Sequence, residues 1–100
     1  SVHLGSTLCA SPGRTQPPSA CQNPNRVTVQ FDRFDPARNT LVADIGAVLA
    51  GANVDVNAPG TSPGCMSFLK DADCPPVMNA LGLAYDGQPA TGPQRFLRMQ

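Results

Sequence analysis

The chain has 100 residues, and its seven basic and seven acidic side chains cancel at neutral pH. With no Lys or Arg cluster it offers no surface for nucleic acid or anionic lipid, and no apolar run approaches the length of a membrane span. Hydrophobic residues make up 41% but only five are aromatic, so the core is thin, and eleven prolines with nine glycines point to strands joined by long loops.

The opening Ser1–Gly5 reads as the inside of a strand, with Val2–Leu4 its core. A polar, Pro-rich loop is expected from Gly5 to Asn25. Arg26-Val27-Thr28-Val29-Gln30-Phe31 alternates apolar and polar residues, with Val27, Val29 and Phe31 on one face, and is the clearest strand in the sequence. Turn chemistry follows at Asp35-Pro36-Ala37-Arg38-Asn39, so Thr40–Asp44 is expected to return as the hairpin partner of 26–31. Ile45–Gly51 predicts a short helix capped by Asp44 and ended by Gly51. Val54 and Val56 alternate with polar residues and suggest a brief strand.

Further along, Cys74–Gly82 predicts a helix. Asp73 supplies its cap, Pro75 and Pro76 occupy the first turn and Gly82 stops it, with Val77, Met78 and Leu81 facing the core. Gln94–Met99 is expected to be a closing strand. The sum is a mainly β, disulfide-braced, sandwich-like domain with long loops and one or two short helices.

Cys9 and Cys21 flank one loop-like stretch, Cys65 and Cys74 another. Neither spacing is a zinc CxxC or a haem CxxCH, so disulfides in an oxidising compartment are the expectation. Four cysteines allow three connectivities. Pairing within each short, turn-rich interval is favoured, each closure restricting the unfolded chain by about 3 kcal/mol in the chain-entropy model.

Catalytic signatures are absent from the sequence. Ser6, Ser62 and Ser67 lie outside any GxSxG, and the glycines form no phosphate loop. Asp71 and Asp73 form a DxD, but an EF-hand needs a glutamate at its twelfth position and the chain has no Glu. A solvated turn and helix cap is the expected role of both. Met78 is expected in the core, while Met66 and Met99 form no MxM or MxxM copper motif. The chain is therefore expected not to be an enzyme.

Several segments recur together in order: His3-Leu4-Gly5-Ser6-Thr7 before Cys9, Cys21 with Asn25-Arg26, Gly64-Cys65-Met66-Ser67 with Asp71, Asp73 and Cys74, then Leu81-Gly82-Leu83 and Gln94-Arg95-Phe96. This set resembles the C-terminal part of the MbnP-like family of exported bacterial four-cysteine proteins. The resemblance covers residues 1–100 as a single domain, corresponding to the C-terminal portion of the family's domain. It implies a periplasmic or secreted location, a β-sandwich-type fold and a partner, a MauG-like dihaem cytochrome c peroxidase homologue. Related surface proteins of methane oxidisers bind copper through histidines and a kynurenine made from tryptophan.

His3, the single imidazole, is the candidate metal ligand, and copper the candidate cofactor. The sequence departs from the copper-binding pattern in having no Trp, with Ser1 where some relatives carry it. The competing expectation is an extracellular structural or interaction β-domain without a metal, in which His3 is an ordinary strand residue and self-association occurs through an exposed strand edge.

Overall fold

The computed structural model describes residues 1–100. It contains four strands and two helices: β1 (Thr7–Ala10), β2 (Ala20–Asn23), β3 (Leu41–Ala43), α1 (Ile45–Leu49), α2 (Cys74–Ala80) and β4 (Leu97–Met99). The strands form two separate antiparallel pairs, β1 with β2 and β3 with β4, and the two pairs do not touch. Strand pairs braced by two disulfides, with few and short helices, match the expected class. The sandwich does not form within these residues, because two-stranded ribbons this short offer no broad face to stack.

The stretch read as a loop from Gly5 to Asn25 is instead the β1–β2 hairpin. Its register sets Cys9 directly opposite Cys21, and the two are bonded. Few of its side chains are buried, so packing alone would not hold it. A covalent cross-strand link does that work, helped by Asn23 donating to the Thr7 hydroxyl at 3.0 Å and Ser19 N–H donating to the Ala10 carbonyl at 2.9 Å.

The partner of β3 also differs from expectation. The Asp35–Asn39 turn forms, with Arg38 and Asn39 amides donating to the Asp35 carbonyl and Ala37 N–H to Asp35 Oδ1. It does not bring 26–31 alongside β3, and 26–31 is not a strand. The partner is β4, with Leu41 opposite Met99, Val42 opposite Arg98 and Ala43 opposite Leu97. Local bonds place β4 there. The Gln94 side chain both accepts from Leu97 N–H and donates to the Leu97 carbonyl, each at 2.7 Å, and Arg95 N–H donates to the Ala80 carbonyl at the end of α2. β3 runs straight into α1, which packs on α2, so both strands are delivered to one place.

α1 begins as its sequence predicts, with Asp44 Oδ1 accepting from Ala47 N–H at 2.8 Å. Val54 and Val56 do not form a strand. The Asn53 carboxamide oxygen accepts from the amides of Asp55 and Val56, closing a turn that competes with a ladder and leaves both valines exposed. Val2–Leu4 is only partly strand-like: Val2 makes a single parallel bridge to Cys65, and His3 N–H donates to the Cys65 carbonyl at 2.8 Å.

α2 is the centre of the core. Pro75 and Pro76 sit where the helix has amides to spare. At its other end Gly82 N–H bonds the Asn79 carbonyl and Leu83 N–H the Met78 carbonyl, the paired bonds of a Schellman stop. Gly82 has φ +71°, and a Cβ there would lie 2.9 Å from the Gln94 amide nitrogen, so only glycine fits. Val77, Met78 and Leu81 are buried as predicted, joined by Val48, Leu83 and the Cys65–Cys74 disulfide, with Tyr85 and Phe96 against them.

The core is small for the chain. Only 10 of 100 residues are buried, and the radius of gyration is 15.6 Å, against the roughly 13 Å expected of a compact 100-residue domain. Removing the central bridge with C65A/C74A is therefore expected to cost about 3 kcal/mol or more in urea unfolding and to expose the α2 amides to hydrogen exchange. The C9A/C21A pair should chiefly raise exchange across residues 7–23, leaving α2 protected. Equal loss of α2 protection in both variants would contradict this division.

Candidate functional site

Of the residues singled out in the sequence, His3, Met66, Ser67, Asp71 and Asp73 converge around the Cys65–Cys74 bridge, while Cys9 and Cys21 brace the separate hairpin and Met99 lies on β4. Residues 1–5 lie along 63–67: Ser1 Oγ donates to the Pro63 carbonyl at 2.7 Å, His3 N–H to Cys65, and the Ser67 hydroxyl donates to the His3 carbonyl while accepting from Gly5 N–H. The backbone around His3 is thus held on both sides, and its side chain is exposed. Met66 follows Cys65 on the neighbouring segment, with its Sδ 4.0 Å from Ser1 Oγ. His3 and Met66, two candidate soft or borderline donors, therefore lie on adjacent segments. Met78 is fully buried, and Met99 is part-exposed on β4, opposite Leu41.

These donors do not by themselves make a copper site. Both cysteine pairs are disulfides, and no group of three or more His, Cys, Asp or Glu side chains comes together. Residues 1–100 contribute one imidazole, with the Met66 thioether on the adjacent segment. Ser67, a serine considered as a nucleophile, spends its hydroxyl on the His3 main chain and not on its imidazole.

Asp71 and Asp73 belong to the scaffold, and the expectation of a solvated turn and helix cap needs correcting. Asp71 is buried, its Oδ2 accepting from Met66 N–H and its Oδ1 from Asp73 N–H, both at 3.0 Å. Asp73 occupies the cap position of α2 without capping it, and its carboxylate accepts from Ala58 N–H instead. Together they tie the Cys65 segment and the 53–64 loop to the start of α2. Each accepts from the main-chain amide of the segment it holds.

Tyr85 is the residue that pattern reading missed. Its hydroxyl accepts from Asp71 N–H at 2.8 Å and donates toward the carbonyls of Phe68 and Asp71, pinning the 67–71 turn. That turn is under conformational constraint, since Ser67 and Lys70 both have positive φ, 63° and 62°. The available signal was the single tyrosine of the chain beside an Asp86-Gly87 turn, an apolar ring with a polar tip. Burial pushes the Tyr85 hydroxyl above its ordinary value of 10.0; its bond to the Asp71 backbone partly offsets this, and the charges of Asp71 and Asp86 add to the rise.

Because the folded form holds the neutral phenol more tightly than the unfolded chain, this contribution is complete below pH 10 and is lost as pH climbs through the raised folded value. Urea midpoints should be level from pH 7 to 9 as far as this group is concerned, then fall beyond 10. Y85F should remove that alkaline fall and lower stability by about 1–2 kcal/mol, leaving Asp71 N–H only its long bond to the Phe68 carbonyl at 3.4 Å. An alkaline fall of unchanged size in Y85F would assign it elsewhere.

No family model and no curated protein sequence matches the chain. Among solved structures, MbnP from Methylosinus trichosporium superposes with a TM-score of 0.81 at 35% identity, over 98% of this chain. The match takes in 37% of that protein, so the chain spans a little over a third of its length. The ordered four-cysteine pattern, both local disulfides and this shared fold across nearly every residue give one answer: the chain belongs to the MbnP-like family.

Proposed function

We propose that the chain is part of the working body of an exported, non-enzymatic, copper-associated protein that acts with a MauG-like dihaem cytochrome c peroxidase homologue. The observation that carries this reading is the likeness to MbnP over 98% of the chain. Two disulfides fit a periplasmic or secreted setting, where thiols oxidise and stay oxidised. No helix is long and apolar enough to cross a membrane.

In this reading His3 supplies one copper ligand. Its exposed ring stands on a backbone fixed to the Cys65–Ser67 segment, so a metal would meet a donor with little freedom to lose. The remaining ligands come from outside residues 1–100, in the same protein or its partner. Residues 1–100 contain no Trp and so cannot themselves furnish a kynurenine.

A second reading, an extracellular interaction domain without a metal, is favoured by the amount of apolar surface left uncovered: Leu4, Leu8, Val27, Phe34, Ile45, Val54 and Val56 are all exposed. Copper titration of the protein purified from the periplasm separates the two. The copper reading expects binding that weakens tenfold or more in H3A, with the thermal unfolding temperature rising on copper addition for the native protein only. Absent binding rejects the copper reading and leaves the interaction reading, whereas binding indifferent to H3A rejects His3 as a ligand.

A further inference from the structure

The segment with the best strand sequence is the one that has no partner. From Arg26 to Phe34 no backbone amide or carbonyl bonds to another backbone group, and no side chain bonds to them. Residues 24–31 run without a turn or bend, and positive φ at Asn25 (49°) and Arg33 (57°) closes the segment at either side. What lies between is a seven-residue unit, Arg26 to Asp32, its last residue at the start of a turn, with no backbone bond along either edge. Such an edge is a template for another strand.

The sequence of this unit says which strand fits. Laid antiparallel on a second copy and centred on Val29, it pairs Arg26 with Asp32, Val27 with Phe31, Thr28 with Gln30 and Val29 with itself. Opposite charges meet at both ends, apolar side chains meet along one face and polar ones along the other, the three favourable classes of cross-strand pair. A slip of one residue sets Arg26 against Phe31 and Val27 against Gln30. A slip of two leaves the charges without partners. Within the chain neither Arg26 nor Asp32 forms an ion pair, and the Asp32 carboxylate accepts only from the Gln30 carboxamide, at 3.4 Å.

We propose that residues 26–32 form a two-fold β-strand pair with a second copy of this chain, in the register that faces Arg26 with Asp32. The contact is isologous, the same segment meeting itself across a two-fold axis, so its smallest closed form is a dimer. It does not depend on the copper reading.

The test is sedimentation of the whole chain over a range of concentrations, with charge-swap variants at these exposed positions. The native protein should pass from monomer to dimer. R26D and D32R should each weaken the dimer about tenfold or more, since like charges then face each other at both ends. An equimolar mixture of R26D and D32R should associate again as a heterodimer, and R26D/D32R should recover the native affinity. Recovery in the mixture needs this register and this partner, and no other occupant of the edge reproduces it. A protein that stays monomeric throughout overturns the proposal, as does a mixture no more associated than its components. Amides of 26–32 protected from exchange in dilute monomer would also overturn it, showing that the edge is filled from within the polypeptide.

Discussion

The Cys65–Cys74 bridge is the constraint on which the rest of the structure depends. It joins the first residue of α2 to the segment that holds residues 1–5, and both of its cysteines are essentially inaccessible to solvent. In a chain with so few large apolar residues, burying a disulfide serves twice. It fills the space a leucine would fill, and it removes conformations from the unfolded chain that packing would otherwise have to offset. Around it the bonds are polar, some local, Asp71 to Met66 and Asp73, and others spanning the chain, Tyr85 to Phe68 and Asp71 and Asp73 to Ala58. A small apolar centre is surrounded by side chains that each satisfy a main-chain donor or acceptor, and no buried side-chain polar atom is left without a partner.

The second bridge works differently. Cys9–Cys21 closes a hairpin that lies outside the core, so its contribution is almost wholly local. One disulfide therefore organises the body and the other keeps a projecting ribbon in register. Reduction would separate the two effects, because the core residues of α2 do not touch the hairpin.

What the sequence made legible follows from how local each decision is. α1 and α2 were readable because caps, prolines and Gly82 act within a few residues of the elements they bound. The disulfide pairs were favoured for the same reason, both closing short intervals. The strand pairing was not readable. Arg26–Phe31 and Thr40–Asp44 look like a hairpin because a good turn separates them, yet pairing is decided by what is delivered to the edge. Gln94 and Arg95 deliver β4. Asp71 and Tyr85 escaped for a related reason: their roles are set by long-range backbone bonds that leave no periodic trace. His3 was legible only as a type of donor; the contacts of its main chain with Cys65 and Ser67 emerge from the fold.

The same distinction bears on function. A metal site needs several donors at one point, and these residues gather one imidazole with a thioether on the adjacent segment. An interface needs a row of unpaired backbone groups with matching side chains, and these residues present that between two left-handed turns. Copper association rests on kinship, and the strand edge on geometry within the chain, so either can stand without the other. His3 is tied to the Cys65 segment, and the residues leading into Arg26 are tied to the same N-terminal stretch, Asn25 donating to the Gly5 carbonyl and the Ser6 hydroxyl to the Pro24 carbonyl. A protein built this way carries the His3 segment and the open edge on one braced frame, with the buried disulfide keeping His3 in position.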